Sequence, residues 1–306
     1  MKHEMILHHY DGSPYSEKIR LLFGYKQLEW RSVSISPMLP KPGLMALTNG
    51  YRRAPVLQIG ADIYCDSALI AEEIDRRFPS PANAGGASKA VTDLLSHLVD
   101  VDLFWRSVRY VMGVRAEQIP QALLDDRQQM HPQINFDRSM LTSELPRVIE
   151  QLRPVLGLLD AVLVDNDFFG GKQPAIGDFG LYHPLWFLQS VDGLSVLAPH
   201  TPKLHAWLAR MAAFGKGRPM PMSQEEAIDT ALRCTPAPLI PASTAPDLAP
   251  GSQVAVMPSG YPREAVRGRL VQLDELHVVV AHESAVVGLI HVHFPHLGYV
   301  VQTGRN

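Results

Sequence analysis

Two short stretches carry residue types that do chemistry together. Asp66 and Ser67 stand immediately before an apolar run, Ala68-Leu69-Ile70-Ala71. An acid and a hydroxyl at a helix start bring an anion, a hydroxyl and unsatisfied backbone N–H groups to one spot. Such a spot binds a group with both an ammonium and a carboxylate, the α-amino-acid end of a ligand. The second stretch is Ser13-Pro14-Tyr15-Ser16. Serine as N-cap and proline at the first helical position open a helix. Helix N–H groups and the positive dipole end stabilise an anion such as a thiolate. A serine hydroxyl can donate a hydrogen bond to that sulfur, but it has no thiol with which to form a mixed disulfide. On spacing alone, a plain N-cap explains the same residues.

A third stretch, Arg52-Arg53-Ala54-Pro55-Val56-Leu57-Gln58-Ile59-Gly60, lies between them. Proline cannot donate to a sheet ladder, so Pro55 opens a strand or lies at an edge. In a compact turn it is also a candidate for a cis bond. A cis bond here leaves the backbone groups of Ala54 pointing outward, in need of a partner. Elements must hold these pieces in place. A buried strand at 5–9 ends in the turn Tyr10-Asp11-Gly12, and Ile19, Leu22, Phe23 and Lys26 follow at helical spacing. A strand at 29–35, a loop at 37–43 and a short helix at 44–47 lead to a hairpin turning at Gly60-Ala61-Asp62, then to a helix ending near 78. The order is β-α-β-α-β-β-α.

Beyond a Pro/Ala/Asn/Gly linker at 79–86 the pattern is helical. One long helix is predicted over 87–112, and another over 139–164 with kinks at Pro146 and Pro154. The polar stretch 117–137 between them suits a loop over a pocket. A buried helix at 174–189, one opened by Thr201-Pro202, and a last one with a Ser223/Glu226 capping box complete this half. Residues 235–250 are proline-rich and read as a linker. From 251 onward five alternating runs predict a small all-β unit.

A chain of 306 residues suggests two domains with a small third. With 46% hydrophobic and 19% charged residues, the composition is that of a soluble globular protein. A net charge of −3 gives no reason to expect nucleic acid or an anionic membrane as partner. The two cysteines, Cys65 and Cys234, are far apart, which argues against a disulfide framework and for a reducing cytoplasm. No stretch reaches membrane-spanning length, and the apolar run at 5–7 is too short for a signal peptide. His291 and His293 share one face of a strand, but no carboxylate or cysteine stands at matching spacing, so no metal site is expected.

The three stretches together resemble the glutathione transferase superfamily. Ser13-Pro14-Tyr15-Ser16 occupies the place of a Cys-Pro-Tyr-Cys motif with serine at both cysteine positions, Ala54-Pro55 matches the cis-proline segment, and Asp66-Ser67 matches the acid–serine pair. The resemblance implies an α/β thioredoxin-like domain at 1–79 and an all-α domain at 87–233, followed here by the linker at 234–250 and the small all-β unit at 251–306. It implies glutathione as co-substrate: Ser13 at the sulfur, Ala54 and Pro55 at the cysteinyl part, Asp66 at the γ-glutamyl ammonium, and Ser67 at the adjoining carboxylate. Lys41 falls where a lysine reaches the glycine carboxylate, with Arg52 and Arg53 as further anion partners. Tyr15, Trp105 and Arg109 are the candidates for the pocket of a small electrophile. Asp178 falls at a buried capping box whose N-cap hydroxyl is replaced by Ala175. A two-fold homodimer is implied as well. A non-catalytic glutathione-binding module and a glutathione-dependent isomerase are the other readings of the same residues.

Overall fold

In this computed structural model residues 4–260 and 264–303 are described. The N-terminal elements come in the order that the periodicity predicts: β1 (Met5–His9), α1 (Pro14–Tyr25), β2 (Glu29–Ser34), α2 (Pro42–Thr48), β3 (Val56–Ile59), β4 (Asp62–Cys65) and α3 (Ser67–Arg77). β1 lies parallel to β2 and antiparallel to β3, and β3 and β4 form the hairpin. Every residue of β1, β3 and β4 is buried, as in a sheet covered on both faces. The side-chain period of two sorts them. Leu7, Leu57, Ile59 and Tyr64 pack with α1, α3 and the helical half, whereas Ile6, Val56, Ile63 and Cys65 face a second core beneath α2.

The helical half contains α4 (Gly86–Val101), α5 (Leu103–Val114), α6 (Gln121–Met130), α7 (Arg138–Ser143), α8 (Leu145–Val162), α9 (Ile176–Gln189), α10 (Gly193–Leu197) and α11 (Pro202–Ala212). The single helix predicted over 87–112 is two. Asp102 breaks it at φ −118° and ψ −67°, and its carboxylate takes the Arg106 Nε–H at 2.8 Å. Neither glycine nor proline marks that break. The interruption at Pro146 is the α7/α8 junction at Glu144, while Pro154 lies within α8. The polar stretch that suggested a loop carries α6. Asp178 is fully buried and accepts four N–H groups, from Phe169, Gly170, Ala175 and the Trp207 indole, at 2.8–3.0 Å. The Ala175 side chain has no acceptor to return, although its carbonyl takes the Asp178 N–H at 3.0 Å, so one carboxylate ties the turn before α9 to α11. Gly177 and Gly180 let α9 lie against α4: a Cβ there would come within 2.2 Å of the Thr92 carbonyl and 1.8 Å of Ser96 Oγ.

After α11 come β5 (Arg218–Pro221), α12 (Gln224–Arg233), β6 (Ala242–Ser243), β7 (Gln253–Pro258), β8 (Val266–Leu273), β9 (His277–Ser284), β10 (Gly288–Pro295) and β11 (Tyr299–Thr303). The five C-terminal runs are strands β7 to β11. β10 pairs in parallel with β4, so these strands continue the N-terminal sheet in the order β11-β7-β8-β9-β10-β4-β3-β1-β2-β5. Val256, Leu270, Val280, Val292 and Phe294 share one core with Ile6, Val56 and Ile63. The predicted linker is not bare chain: β6 pairs with β8, and the Ala237 N–H reaches Asp62 Oδ2 at 2.8 Å. β5 was not signalled by sequence, since Pro219 and Pro221 argue against a strand; as an edge strand against β2 it tolerates both. Among the described residues no helix is long and apolar enough to cross a membrane.

Candidate functional site

Buried side chains lock the loop between β1 and α1. Arg20 is buried and donates to Glu17 Oε2 at 2.8 Å, to the Tyr10 carbonyl at 3.2 Å and to the Asp11 carbonyl at 2.8 Å. Ser13 then caps α1: its Oγ accepts the Ser16 N–H at 3.2 Å. Among the described residues no acceptor takes the Ser13 hydroxyl hydrogen, which stands at the end of a helix whose N–H groups favour an anion. The Ala54-Pro55 bond is cis, and among the described residues the Ala54 backbone makes no hydrogen bond.

A cleft of about 990 Å³ opens between the two halves. Ser13, Lys41, Ala54, Pro55, Asp66 and Ser67 all line it. Asp66 caps α3 at φ 79°, with Oδ1 accepting the Ala68 N–H at 2.9 Å. Ser67 Oγ lies 3.3 Å from the buried Lys18 Nζ, which donates to it. Lys18 was not singled out in the sequence; its signal was a lysine on the inward face of α1. Tyr15 lines the cleft too, its ring against Phe104 and His183, with Asp100 near its buried hydroxyl. Burial pushes Asp100 up to about 7, against the opposing pull of the Lys18 ammonium.

The C-terminal strands form part of the cleft wall through Pro258, Leu276, Pro295, Leu297 and Tyr299. Tyr299 OH lies 3.2 Å from Asp66 Oδ2 and 3.4 Å from Tyr51 OH. One hydroxyl hydrogen cannot serve both, so Tyr51 donates to Tyr299 and Tyr299 to the carboxylate. Burial holds the Tyr299 hydroxyl far above its ordinary pKa, which keeps it a donor. Nothing in the sequence placed a residue 233 positions downstream against Asp66.

Cations gather at the other end. Lys41 is buried at the start of α2, and its Nζ donates to the Arg52 carbonyl at 2.9 Å. Arg52, Arg53 and Arg127 line the same wall. Arg52 pairs with Asp126 and lies 3.6 Å from Glu264. Burial, with Arg127 and Arg52 beside it, brings Lys41 down to about 8. The same surroundings hold His131 at about 3, so its imidazole is neutral. Opposite this wall, Phe104, Val108, Met112, Leu123 and Phe136 give the cleft an apolar half. Trp105 lines it, packed edge-on to His131. Arg109 does not reach it. The face that Arg109 shares with Trp105 lines a separate cavity of about 340 Å³, where its Nε lies 4.0 Å from Glu144.

Residues 7–82 match the family profile "Glutathione S-transferase, N-terminal domain" and residues 142–210 match "Glutathione S-transferase, C-terminal domain". A GST-like protein from Pseudomonas syringae of known crystal structure is 35% identical over 98% of this chain and 99% of its own, with a TM-score of 0.75. That likeness takes in the C-terminal strands. A theta class glutathione S-transferase from Xanthomonas axonopodis pv. citri with glutathione bound is 18% identical over 70% of this chain and 97% of its own, with a TM-score of 0.55. A rice GST in complex with glutathione is 18% identical over 75% of this chain and 96% of its own, with a TM-score of 0.51. No curated protein matches the chain. The profiles in both halves, and the full-length likeness to the Pseudomonas protein, place this chain in the glutathione S-transferase family.

Proposed function

We propose that the protein is a glutathione-dependent transferase that activates the glutathione thiol for attack on a small electrophile. The observation that carries this reading is the gathering of Ser13, Lys41, Ala54, Pro55, Asp66 and Ser67 around one cleft. Asp66 pairs with the γ-glutamyl ammonium, while Ser67 and the α3 N-terminus hold the adjoining carboxylate over Lys18. Ala54 presents its backbone N–H and C=O to the cysteinyl unit, as one more strand would. The cationic wall at Lys41 takes the glycine carboxylate. The sulfur then meets Ser13 Oγ–H and the start of α1. The thiol proton leaves to solvent, and the hydrogen bond and dipole stabilise the thiolate. Sulfur forms the new bond to carbon of an electrophile held against the apolar half, near Tyr15 and Trp105, and the leaving group departs with its electron pair. Holding both partners in one cleft supplies much of the rate.

Calorimetric titration with glutathione, followed by assay against a panel of electrophiles, tests the proposal. Absence of both binding and turnover overturns it. A non-catalytic module that meets partners through the C-terminal strands is less well supported, because those strands are built into the sheet and the cleft wall. We place the protein in the cytoplasm, on the sequence arguments above. Val91, Leu94, Leu98 and Val101 form a 55–64% exposed apolar stripe along α4, and we propose that it is covered in a two-fold homodimer. Sedimentation of a monomer at micromolar concentration would remove that proposal.

Two effects are expected from residues around the ligand ends. Tyr299→Phe deletes the hydroxyl on Asp66 and is expected to weaken glutathione binding about fivefold, less than the full worth of a hydrogen bond to a charged group because it reaches the ligand only through the orientation of Asp66. Unchanged affinity would limit Tyr299 to packing. Lys41 binds an anion only when protonated, and in the free protein it loses its proton around pH 8. Affinity for S-methylglutathione, which has no thiol to titrate, should therefore fall as pH rises through 8. Lys41→Met is expected to cost about fivefold at pH 7 and progressively less above pH 8. A gap that stays constant from pH 6 to about 10 would place the carboxylate elsewhere.

A further inference from the structure

We propose that Asp62, His291 and His293 bind one divalent transition-metal ion of the zinc class, which pins β10 to β4 and thereby the C-terminal strands to the glutathione-binding half. The strand register builds the site. Asp62 and His291 are direct partners across the parallel β4/β10 pair, and His293, two residues on, lies on the same face. The carboxylate missing from the spacing of the two histidines thus comes from across the sheet. His293 Nε2 lies 2.8 Å and His291 Nδ1 3.9 Å from Asp62 Oδ1, and the three ligand atoms all fall within 4.8 Å of one another. Ligands on a tetrahedral ion at ordinary zinc distances stand about 3.3 Å apart, so side-chain shifts of about 1 Å close the site.

The surroundings favour an ion. The Asp62, His293 and His291 side chains are only 6%, 11% and 13% exposed. A carboxylate so buried is costly without compensating charge. Asp62 receives the Ala237 N–H and the His293 ring, but among the described residues neither lysine nor arginine pairs with it. His291 Nδ1 is buried and has no hydrogen-bond partner among the described residues. One cation answers both deficits. The Tyr64 ring stacks on His293 at 4.4 Å and fixes its plane. Two imidazole nitrogens and one carboxylate oxygen suit zinc, cobalt or nickel, not calcium or magnesium, which take oxygen ligands. None of the three residues lines the cleft, so the ion acts as a clasp and takes no part in sulfur chemistry. Its influence reaches the cleft through the end of β10, which leads into Pro295, Leu297 and Tyr299 on the wall.

Cobalt(II) is the probe. Full-length protein is stripped with chelator and titrated with Co2+ while its visible d–d bands are followed, and thermal melts are recorded with and without Zn2+. One Co2+ per chain and a higher Tm with zinc are expected. His291→Ala should bind cobalt roughly 100-fold or more weakly and lose the zinc shift, read against the variant's own metal-free Tm, which falls with the lost packing of a side chain only 13% exposed. Asp62→Asn, which retains an acceptor for the Ala237 N–H, should lose the zinc shift as well. Absence of binding at submillimolar Co2+, or the same stoichiometry and affinity in both variants, overturns the proposal. Neither readout uses glutathione, so the result stands apart from the transferase reading.

Discussion

Replacing Ser13 with alanine is expected to lower kcat/KM for conjugation by roughly 100-fold or more, with glutathione affinity within about twofold of the parent. The hydroxyl matters when charge sits on sulfur and little when the thiol is neutral. Its loss therefore falls on the transition state and on the ionisation of bound thiol. Ultraviolet absorbance of the bound thiolate reads that ionisation directly and needs no electrophile; in Ser13→Ala its midpoint moves to higher pH. The variant also loses the cap at Ser16 N–H, at a cost of about 1 kcal/mol of stability, which a thermal melt separates from the catalytic effect. Ser13→Cys is the converse test. A thiolate at that helix start can attack the glutathionyl sulfur of a mixed disulfide. The S–S bond breaks, the partner leaves as a thiol, and a second glutathione regenerates the cysteine as glutathione disulfide departs. Thioltransferase activity is expected to appear. If it does not, residue 13 does not face the sulfur.

Local signals made much of this arrangement legible. Ser13-Pro14 and Asp66-Ser67 announce helix starts because caps are written within four residues of chain, and both starts are observed. The α12 capping box, Ser223 with Glu226, was legible for the same reason, and both of its hydrogen bonds form. Apolar, β-branched runs disclosed β7 to β11: β8 alternates cleanly over 266–270, whereas β9 is buried on both faces over 278–281. What escaped was set by partners distant in sequence. That β10 docks on β4 is a matter of tertiary register, and alternation within either strand says nothing about it. Tyr299 against Asp66, and Asp62 against the two histidines, follow from that single pairing. The break at Asp102 escaped because no glycine, proline or side-chain cap marks it in the sequence. Arg109 was misplaced for a related reason: sharing a face with Trp105 fixes a direction on the helix, not which of two cavities lies there.

The docking of β10 also changes what Asp66 can be asked to do. Asp66 Oδ1 is committed to the Ala68 N–H and Oδ2 receives Tyr299, so the carboxylate is held from two sides before any ligand arrives. A group oriented in advance gives up less conformational freedom when it pairs. Asp66→Asn isolates its charge. Asparagine caps a helix as well as aspartate does and tolerates the positive φ of 79° found here, so the local backbone should persist. The negative charge facing the γ-glutamyl ammonium is removed; the asparagine NH2, in the place of Oδ2, now donates to the Tyr299 hydroxyl, which turns its own hydrogen to Tyr51. An ionic hydrogen bond in a partly buried cleft is worth about 2–3 kcal/mol, so the glutathione Kd should rise by roughly 30- to 100-fold while Tm stays close to that of the parent. A glutathione analogue lacking the α-amino group makes the argument specific. It should bind the parent weakly, and Asp66→Asn should weaken it little further, because the pair has already lost one member. If the variant instead weakens both ligands equally, Asp66 acts by shaping the loop and the ammonium lies elsewhere.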